Sequence, residues 1–206
     1  MKNDIKGSQD KQMRADLETI GNKGQKKKRL LLHACCAPCA SYAVKTLTKD
    51  YDITLFFYNP NIEPYEEYIK RKNEVEKLAV MQSLHLGIYV GILECEYDNE
   101  LFTSSVRSLR DEPEGGARCK ICFDIRLGET ARQARAHGFD VFATTLSTSP
   151  HKNAAILNDS GIMQSMEHNI LYLRTDFKKN NGYMQSIELS KEYGLYRQNY
   201  CGCKIS

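Results

Sequence analysis

From position 30 onward, short apolar runs alternate with longer stretches in which apolar residues recur at helical spacing. Five of the runs have the length and the β-branched or aromatic content of buried strands, and they cover residues 30–34, 53–58, 87–93, 140–146 and 170–174. Helical patterns cover residues 65–84, 98–109, 119–137, 153–166 and 185–193, and Ala43, Val44 and Leu47 mark one more helix after the first run. Alternation of this kind predicts a parallel sheet covered by helices on both faces.

This pattern predicts a single three-layer α/β domain of the Rossmann-like type, because no internal repeat or second domain boundary interrupts it. The sequence contains neither a GxGxxG fingerprint nor a Walker loop. The fold alone therefore does not argue for a dinucleotide or for ATP.

Residues 1–28 differ from the rest in being polar and nearly without aliphatic periodicity, which predicts a flexible leader. Residues 1–29 contain nine lysines and arginines against four acidic residues, a net charge of +5, whereas the remaining chain carries 20 basic and 22 acidic residues. The basic charge therefore belongs to the leader. It could attract a nucleic-acid backbone or merely aid solubility.

The composition excludes several classes of protein. Of 206 residues, 41% are hydrophobic and 27% charged, which is typical of a globular domain. No run approaches about 18 apolar residues, and the N-terminus lacks the apolar centre of a secretory signal. We therefore expect a cytoplasmic protein without a membrane span.

Eight cysteines are the unusual feature of the composition, because the cytoplasm is too reducing for a disulfide framework. Seven of them fall into three tight groups, and Cys95 stands alone as an incidental thiol. The groups are Cys35, Cys36 and Cys39; Cys119 and Cys122; and Cys201 and Cys203. Thiols separated by two residues can direct both sulfurs at one metal, so the grouping predicts metal or redox chemistry.

The first group lies where a parallel sheet binds ligands, because it follows the first strand and opens the first helix. The free N–H groups at that helix start favour thiolates and an anionic cluster. Cys119 and Cys122 open another helix and project from one face. Gly202 lets the terminal Cys-Gly-Cys turn sharply over the site.

Three chemistries compete for these thiols. A structural zinc ion, as in a zinc-stabilised RNA-binding module without redox activity, would take only four of them. A thiol–disulfide oxidoreductase is suggested by Cys36-Ala37-Pro38-Cys39 but leaves the second CxxC unexplained. An iron–sulfur cluster beside a second metal or a redox thiol pair uses all seven, and we favour it.

At these residues the chain resembles the cobalamin-independent epoxyqueuosine reductase family. The matching segments are LLHACCAPC (31–39), FYNPNIEPYEEY (57–68), EGGARCKICFDIRL (114–127), GFDVFATTLSTSPHKN (138–153), TDFKKNNGY (175–183) and YRQNYCGC (196–203). The resemblance spans nearly all of residues 30–203 and leaves out the leader.

The resemblance implies an oxidoreductase domain over residues 29–206 with an adenine-nucleotide-hydrolase-like topology. It implies a [4Fe–4S] cluster beside a mononuclear iron, and the reduction of epoxyqueuosine to queuosine at the wobble position of tRNA, the last step of queuosine biosynthesis. The partners expected are that tRNA and an external electron donor, ferredoxin-like or flavodoxin-like.

The division of the thiols between the two metals is a further expectation. Cys119 and Cys122 are expected to bind the cluster, with Cys35 and Cys36 completing it, although one of these two could face the second iron. The thiols expected to act at the second iron are Cys39, Cys201 and Cys203. Alternatively, Cys201 and Cys203 form a redox-active disulfide.

Polar residues in the matched segments are candidates for substrate contact or proton transfer. The substrate candidates are Asn59, Asn61, Tyr65, Ser149, Tyr196 and Arg197, and Asp176 is a candidate proton donor. Each has a purely structural alternative: the asparagines can fix a turn and Ser149 can cap a helix. Arg118 and Arg126, beside the CxxC, could neutralise cluster charge.

Overall fold

The computed structural model describes residues 27–203, so the predicted leader lies, apart from its last two residues, outside the described part of the chain. Five strands occur there: β1 Lys28–His33, β2 Tyr51–Phe56, β3 Gly91–Leu93, β4 Val141–Thr144 and β5 Leu171–Tyr172. The α-helices of the same residues are α1 Ala37–Leu47, α2 Tyr65–Leu86, α3 Asn99–Ser105, α4 Ala117–Ala136, α5 Ala154–His168 and α6 Gly182–Glu192. A 3₁₀ helix, Thr145–Thr148, follows β4 directly.

The strands form one parallel sheet in the order β3-β2-β1-β4-β5. The predicted α/β fold with a parallel sheet is therefore confirmed. The strand order reverses between β1 and β4, and open α/β sheets bind ligands in the crevice beyond such a switch point. Thiol groups that follow β1 therefore lie where this fold places its ligands.

Alternation along β1 produces the two outer layers. Leu30 and Leu32 are fully buried against α1, α2 and α6, whereas Leu31 is fully buried on the opposite face against α4. Side chains of a strand point alternately to the two faces, so three consecutive leucines build both halves of the core. On the second face α5 also approaches the sheet, where Gly161 lies against the ring of Tyr172 because no side chain would fit there.

Four elements are shorter than the sequence pattern predicts. β4 covers Val141–Thr144 rather than 140–146, because a 3₁₀ helix begins at Thr145, and β5 covers only Leu171–Tyr172 of the predicted run 170–174. β3 begins at Gly91 rather than near position 87, because Gly87 adopts a left-handed conformation (φ 64°) that ends α2. The predicted helix 98–109 ends as an α-helix at Ser105, since Val106 leaves the helical region at φ −108°, ψ 7°. Within residues 27–203, no helix is both long and apolar enough to cross a membrane.

Candidate metal centre

Three thiols meet at the switch point, just beyond the carboxyl end of β1. The sulfurs of Cys35, Cys36 and Cys39 lie within 4.8 Å of one another, and those of Cys35 and Cys36 are 3.9 Å apart. Thiolates bound to one tetrahedral ion at about 2.3 Å lie about 3.8 Å apart, so this spacing suits a single metal ion. We call these residues the cysteine triad.

The loop after β4 holds the triad from the other side of the switch point. The hydroxyl of Thr145 accepts a hydrogen bond from the Cys35 amide (3.1 Å) and lies 3.4 Å from the Cys35 sulfur. The Thr148 hydroxyl donates to the Cys39 carbonyl at 3.3 Å. Both threonines are fully buried, so the strand ends that form the crevice also fix the position of the triad.

Hydrogen bonding among the triad thiols separates their pKa values. Hydrogen bonds from Cys35 and Cys39 lower the pKa of Cys36 well below its usual value. The same contacts act in the opposite direction on the donors: the contact with Cys36 raises the pKa of Cys35, and the contact with Cys35 raises that of Cys39. Cys36 is therefore the first of the three to become a thiolate, the form that binds metal.

The remaining four grouped cysteines line a second site. Cys119, Cys122, Cys201 and Cys203 surround one cavity between the start of α4 and the C-terminal segment. The first two lie one helical turn apart, and the Gly115 amide donates a hydrogen bond to the Cys119 sulfur at 3.1 Å. We call these residues the four-thiol cavity. Its composition matches the four cysteine ligands of an iron–sulfur cluster.

Buried cations surround the four-thiol cavity. Arg118, Arg126 and Lys152 line it at only 2%, 3% and 7% exposure. Lys152 lies 3.4 Å from the Cys201 sulfur and donates to Glu114 at 2.6 Å. Buried charge is stable only when it is compensated, and Glu114 is the one carboxylate among the lining residues. These three cations would attract thiolates or an anionic cluster in the cavity.

Burial and the neighbouring charges act against each other in this cavity. Burial lowers the pKa of Lys152, but Cys201 and Glu114 outweigh it and hold that pKa above the usual value. For Cys122, burial raises the thiol pKa to about 11 even though Arg126 opposes the shift. Binding of a metal would deprotonate that thiol, because a coordinated sulfur is a thiolate.

Arg126 connects the two thiol groups. Its Nη1 lies 3.8 Å from the Cys122 sulfur, its Nη2 donates to Asn59 Oδ1, and its charge also acts on the pKa of Cys35. His33 lies against it, with Nε2 3.0 Å from the Tyr58 carbonyl, which can only accept. Arg126 Nε lies 3.4 Å from the same ring nitrogen, and burial followed by the Arg126 charge lowers the pKa of His33 to about 3. His33 is thus neutral and fully buried.

A buried arginine fixes the C-terminal segment over the cavity. Arg71 of α2 is 2% exposed and donates to the Cys201 carbonyl at 3.0 Å and to Glu67 at 2.7 Å. Gly202 follows with φ 106°, and its carbonyl accepts from the Glu63 amide at 2.9 Å. A Cβ on Gly202 would lie 3.1 Å from Arg71 Nη1, so only glycine fits this turn.

The thiols form two groups in the structure, and their division between a cluster and a second iron stays a prediction. Cys35 and Cys36 lie with Cys39 rather than with the CxxC of α4. Cys201 and Cys203 line the cavity of Cys119 and Cys122 rather than joining Cys39. Docking of the C-terminal segment onto α2 directs its thiols towards the start of α4.

The two candidate asparagines are both buried, with different surroundings. Asn59 donates to the Ala34 carbonyl at 3.0 Å and accepts from Arg126, so both ends of its amide are bonded inside the protein. Asn61 lines the four-thiol cavity at 1% exposure, and its Oδ1 has no hydrogen-bond partner among residues 27–203.

The other candidate residues lie around these sites. Tyr65 is 54% exposed beside Tyr97, at a ring distance of 5.3 Å. Tyr196 lies against α2, where its hydroxyl donates to Glu67 at 3.2 Å, and the Arg197 guanidinium lies 5.2 Å from the Tyr183 ring. The Ser149 hydroxyl accepts from the His151 amide, and Asp176 pairs loosely with Lys178 at 3.9 Å.

An open groove adjoins the four-thiol cavity and shares Glu114 and Cys201 with it. Its other lining residues are Arg110, Asp111, Glu112, Pro113, Asn199 and Tyr200. Tyr200 is 43% exposed, and the Arg71 guanidinium lies 4.8 Å from its ring. The groove therefore offers an exposed aromatic ring at the entrance to the thiols.

Sequence reasoning missed Arg71, Glu67 and Lys152 as parts of the site's framework. Lys152 lies in the matched segment 138–153, and its place in that segment is a signal that could have identified it. Arg71 and Glu67 have the i, i+4 spacing of an ordinary surface pair, so the sequence carries no signal for their burial.

Comparisons with known proteins identify relatives over most of the chain. A family model described as "Epoxyqueuosine reductase QueH" matches residues 30–206. A protein of that name from Streptococcus pyogenes serotype M1 is 46% identical over 174 residues, covering 84% of this chain and 68% of that protein. Its namesake from Staphylococcus epidermidis is 40% identical over 196 residues, covering 94% and 82% respectively.

A third protein of the same name, from Thermotoga maritima, is 37% identical over 177 residues, and the match covers 86% of this chain and 89% of that protein. Among solved structures, a predicted subunit of tRNA methyltransferase from Methanocaldococcus jannaschii has a TM-score of 0.47 at 15% identity. It covers 81% of this chain and 75% of that one.

Proposed function

The chain belongs to the epoxyqueuosine reductase QueH family, and from this premise we propose that it reduces epoxyqueuosine to queuosine in tRNA. The reaction takes two electrons and two protons, breaks both carbon–oxygen bonds of the epoxide, and yields an alkene and water. An oxidoreductase acting on tRNA is expected in the cytoplasm. The observation that carries the proposal is the presence of two clusters of cysteines, the cysteine triad and the four-thiol cavity, at the ligand-binding edge of the sheet.

The donor sets fit the two metal centres that the family resemblance implies. We assign the four-thiol cavity to a [4Fe–4S] cluster, since each iron of such a cluster takes one thiolate. We assign the cysteine triad to a single iron, because the spacing of its sulfurs suits the ligands of one ion. When bound, the two centres would supply single electrons and a Lewis acid for the departing oxygen.

The protein's own residues prepare this chemistry. Arg118, Arg126 and Lys152 place three buried positive charges around the thiols, which favours an anionic occupant and lowers the cost of adding an electron to it. Burial of Cys119, Cys122 and Cys203 keeps most water away from the same site. The chain thus provides both the ligands and the compensating charge.

The groove is the proposed entrance for the modified base. An enzyme that acts on a base in tRNA must expose it, and aromatic side chains commonly stack on exposed bases. Tyr200 offers such a ring beside Cys201. Tyr65 is a second exposed ring and Arg197 is a cation, and both lie in the sequence segments that carry the site. An external ferredoxin-like or flavodoxin-like donor would supply the electrons.

Reconstitution with iron and sulfide under anaerobic conditions tests the assignment. The wild-type protein is expected to bind more than four irons with about four sulfides per chain. Cys201→Ser and Cys119→Ser should each lose most of the cluster absorbance, whereas Cys39→Ala should keep it and lose turnover. Cys95→Ser is the matched control, because Cys95 lies outside both groups and donates to the Phe57 carbonyl at 3.0 Å.

Two results would contradict the assignment. Full cluster absorbance in Cys201→Ser would remove the C-terminal thiols from the cluster. A colourless wild-type protein that contains one zinc and no sulfide would defeat the redox proposal altogether.

A further inference from the structure

Exposed cations lie against tyrosine rings along the surface segment that leads to the thiols. The Lys70 ammonium lies 3.5 Å from the centre of the Tyr196 ring, and the Arg197 guanidinium lies 5.2 Å from the centre of the Tyr183 ring. Both cations are exposed, and the two pairs adjoin because Tyr196 and Arg197 are consecutive residues. We call these four residues the basic-aromatic tract.

The tract lies beside the groove that opens to the thiols. Lys70 is in the second turn of α2, and Tyr183 is in the first turn of α6. Arg197 precedes Cys201 by four residues, which span at most about 14 Å of extended chain. Tyr200, which lines the groove, lies between them. A chain-like ligand with one unit in the groove can therefore reach the tract with a neighbouring unit.

The positive charge of the tract is local. Residues 30–206 carry 20 basic and 22 acidic residues, so the domain as a whole does not attract a polyanion. Two carboxylates adjoin the tract and are engaged there: Glu67 pairs with Arg71, and Glu74 accepts from the Tyr196 amide at 2.7 Å. The two exposed cations lie against rings, which attract a cation without neutralising its charge.

Cations held over aromatic rings are suited to single-stranded RNA. Phosphates pair with lysine and arginine, whereas bases stack on aromatic rings and on guanidinium planes. A cation that is already held over a ring loses less side-chain freedom when it binds a phosphate. An acidic protein surface would use the cations but has no need of the rings, so RNA is the partner that the tract fits better.

We propose that the basic-aromatic tract binds the backbone of the tRNA anticodon loop next to the modified nucleotide. Lys70 and Arg197 contact phosphates, and Tyr196 and Tyr183 hold these two cations in place. The inference rests on the proposed function, which makes tRNA the substrate, and it names the surface that holds that substrate. Phosphate contacts fix position and carry no sequence information, so the tract places the loop while the groove receives the base.

The test is the equilibrium binding of tRNA to the reconstituted full-length protein over a range of salt concentrations. Arg197→Gln and Lys70→Gln should each weaken binding about tenfold at low salt and reduce the slope of log affinity against log salt by about 0.7–0.9. The loss should be the same for tRNA that contains epoxyqueuosine and for the same tRNA without it, because their phosphates are identical. Arg197→Lys keeps the charge and should retain most of the affinity.

Lys45→Gln is the matched control, because it removes one exposed positive charge at a distance from the tract. Lys45 is in the last turn of α1, a helix that begins beside the cysteine triad and extends away from it. Its tRNA affinity and salt dependence should equal those of the wild type.

Four outcomes decide the proposal. Unchanged affinity and salt dependence in both glutamine variants would overturn it. A loss confined to tRNA that contains epoxyqueuosine would also overturn it, because the tract would then contact the modified base. If tRNA binding is unchanged but a flavodoxin-like donor reduces the variants more slowly, the tract binds the donor instead. A wild-type protein that binds tRNA through the tract but leaves epoxyqueuosine unreduced would contradict the proposed function while supporting this proposal, so the two failures are distinguishable.

Discussion

Replacing Arg71 by methionine should release the C-terminal thiols from the four-thiol cavity while the domain stays folded. Arg71 is 2% exposed and holds the Cys201 carbonyl at 3.0 Å, the Tyr200 carbonyl at 3.5 Å and the Glu67 carboxylate at 2.7 Å. Methionine preserves much of the side-chain volume and removes only the charge and the donors.

The expected cost follows from these contacts. Removing one partner of a buried ion pair costs roughly 3–5 kcal/mol, because the other charge remains buried, and Glu67 is only 11% exposed. The loss of the charged hydrogen bond to the Cys201 carbonyl is part of the same figure. Domains of this size are stable by roughly 5–15 kcal/mol, so the fold should survive while the segment around Cys201 opens locally.

Pulse alkylation of metal-free protein, followed by peptide mass spectrometry, measures this opening. Cys201 should react at least about tenfold faster in Arg71→Met, since each 1.4 kcal/mol of local stability is a factor of ten. Cys119 and Cys122 should be affected less, because α4 still holds them. Lys72→Met is the matched control on the same helix, where the pair with Glu94 is exposed and contributes about 1 kcal/mol or less.

The reasoning would be refuted by an unchanged alkylation rate of Cys201 in Arg71→Met alongside a lowered free energy of unfolding. In that case Arg71 would stabilise the domain without positioning the thiol.

Two further predictions follow from single positions. Gly202→Ala should weaken iron binding and destabilise the protein by roughly 1–3 kcal/mol, measured by chemical denaturation, because φ is 106° and the new Cβ would lie 3.0 Å from Ile62. Gly194→Ala meets no atom closer than 4.0 Å, so a larger effect there than at Gly202 would contradict this. Burial raises the pKa of Cys95 to about 11, so alkylation of its thiol in the folded protein should rise with pH up to about 11. In urea-unfolded protein it should follow a pKa near 8.5, and identical profiles would show that burial does not control this thiol.

The fold was predictable because the apolar residues of β1, β2 and β4 are buried and their short runs leave little choice of structure. Their alternation with helices predicts the parallel sheet, and the ends of those strands predict where ligands bind. The edges were less predictable. Gly87 ends α2 with a backbone angle that the sequence pattern does not reveal, and β3 is shorter as a result.

The site shows the same division. Grouping of cysteines along the chain predicts metal chemistry, and Arg118 and Arg126 lie beside the CxxC thiols as their spacing suggests. Which thiols lie together depends on the path of the C-terminal segment. Arg71 fixes that path through Cys201, 130 residues away along the chain, and Glu67 through Tyr196, 129 residues away. Periodicity within one helix cannot reveal such contacts.

Conversion of the modified base is the most direct test of the central claim. The reconstituted wild-type protein, with a low-potential reductant, would be incubated with tRNA that contains epoxyqueuosine, and the nucleosides would be measured by mass spectrometry. We predict loss of epoxyqueuosine and an equal gain of queuosine, whose mass is about 16 Da lower because one oxygen is lost. Cys39→Ala should give no conversion. Unchanged epoxyqueuosine after incubation with fully cluster-loaded protein would contradict the account.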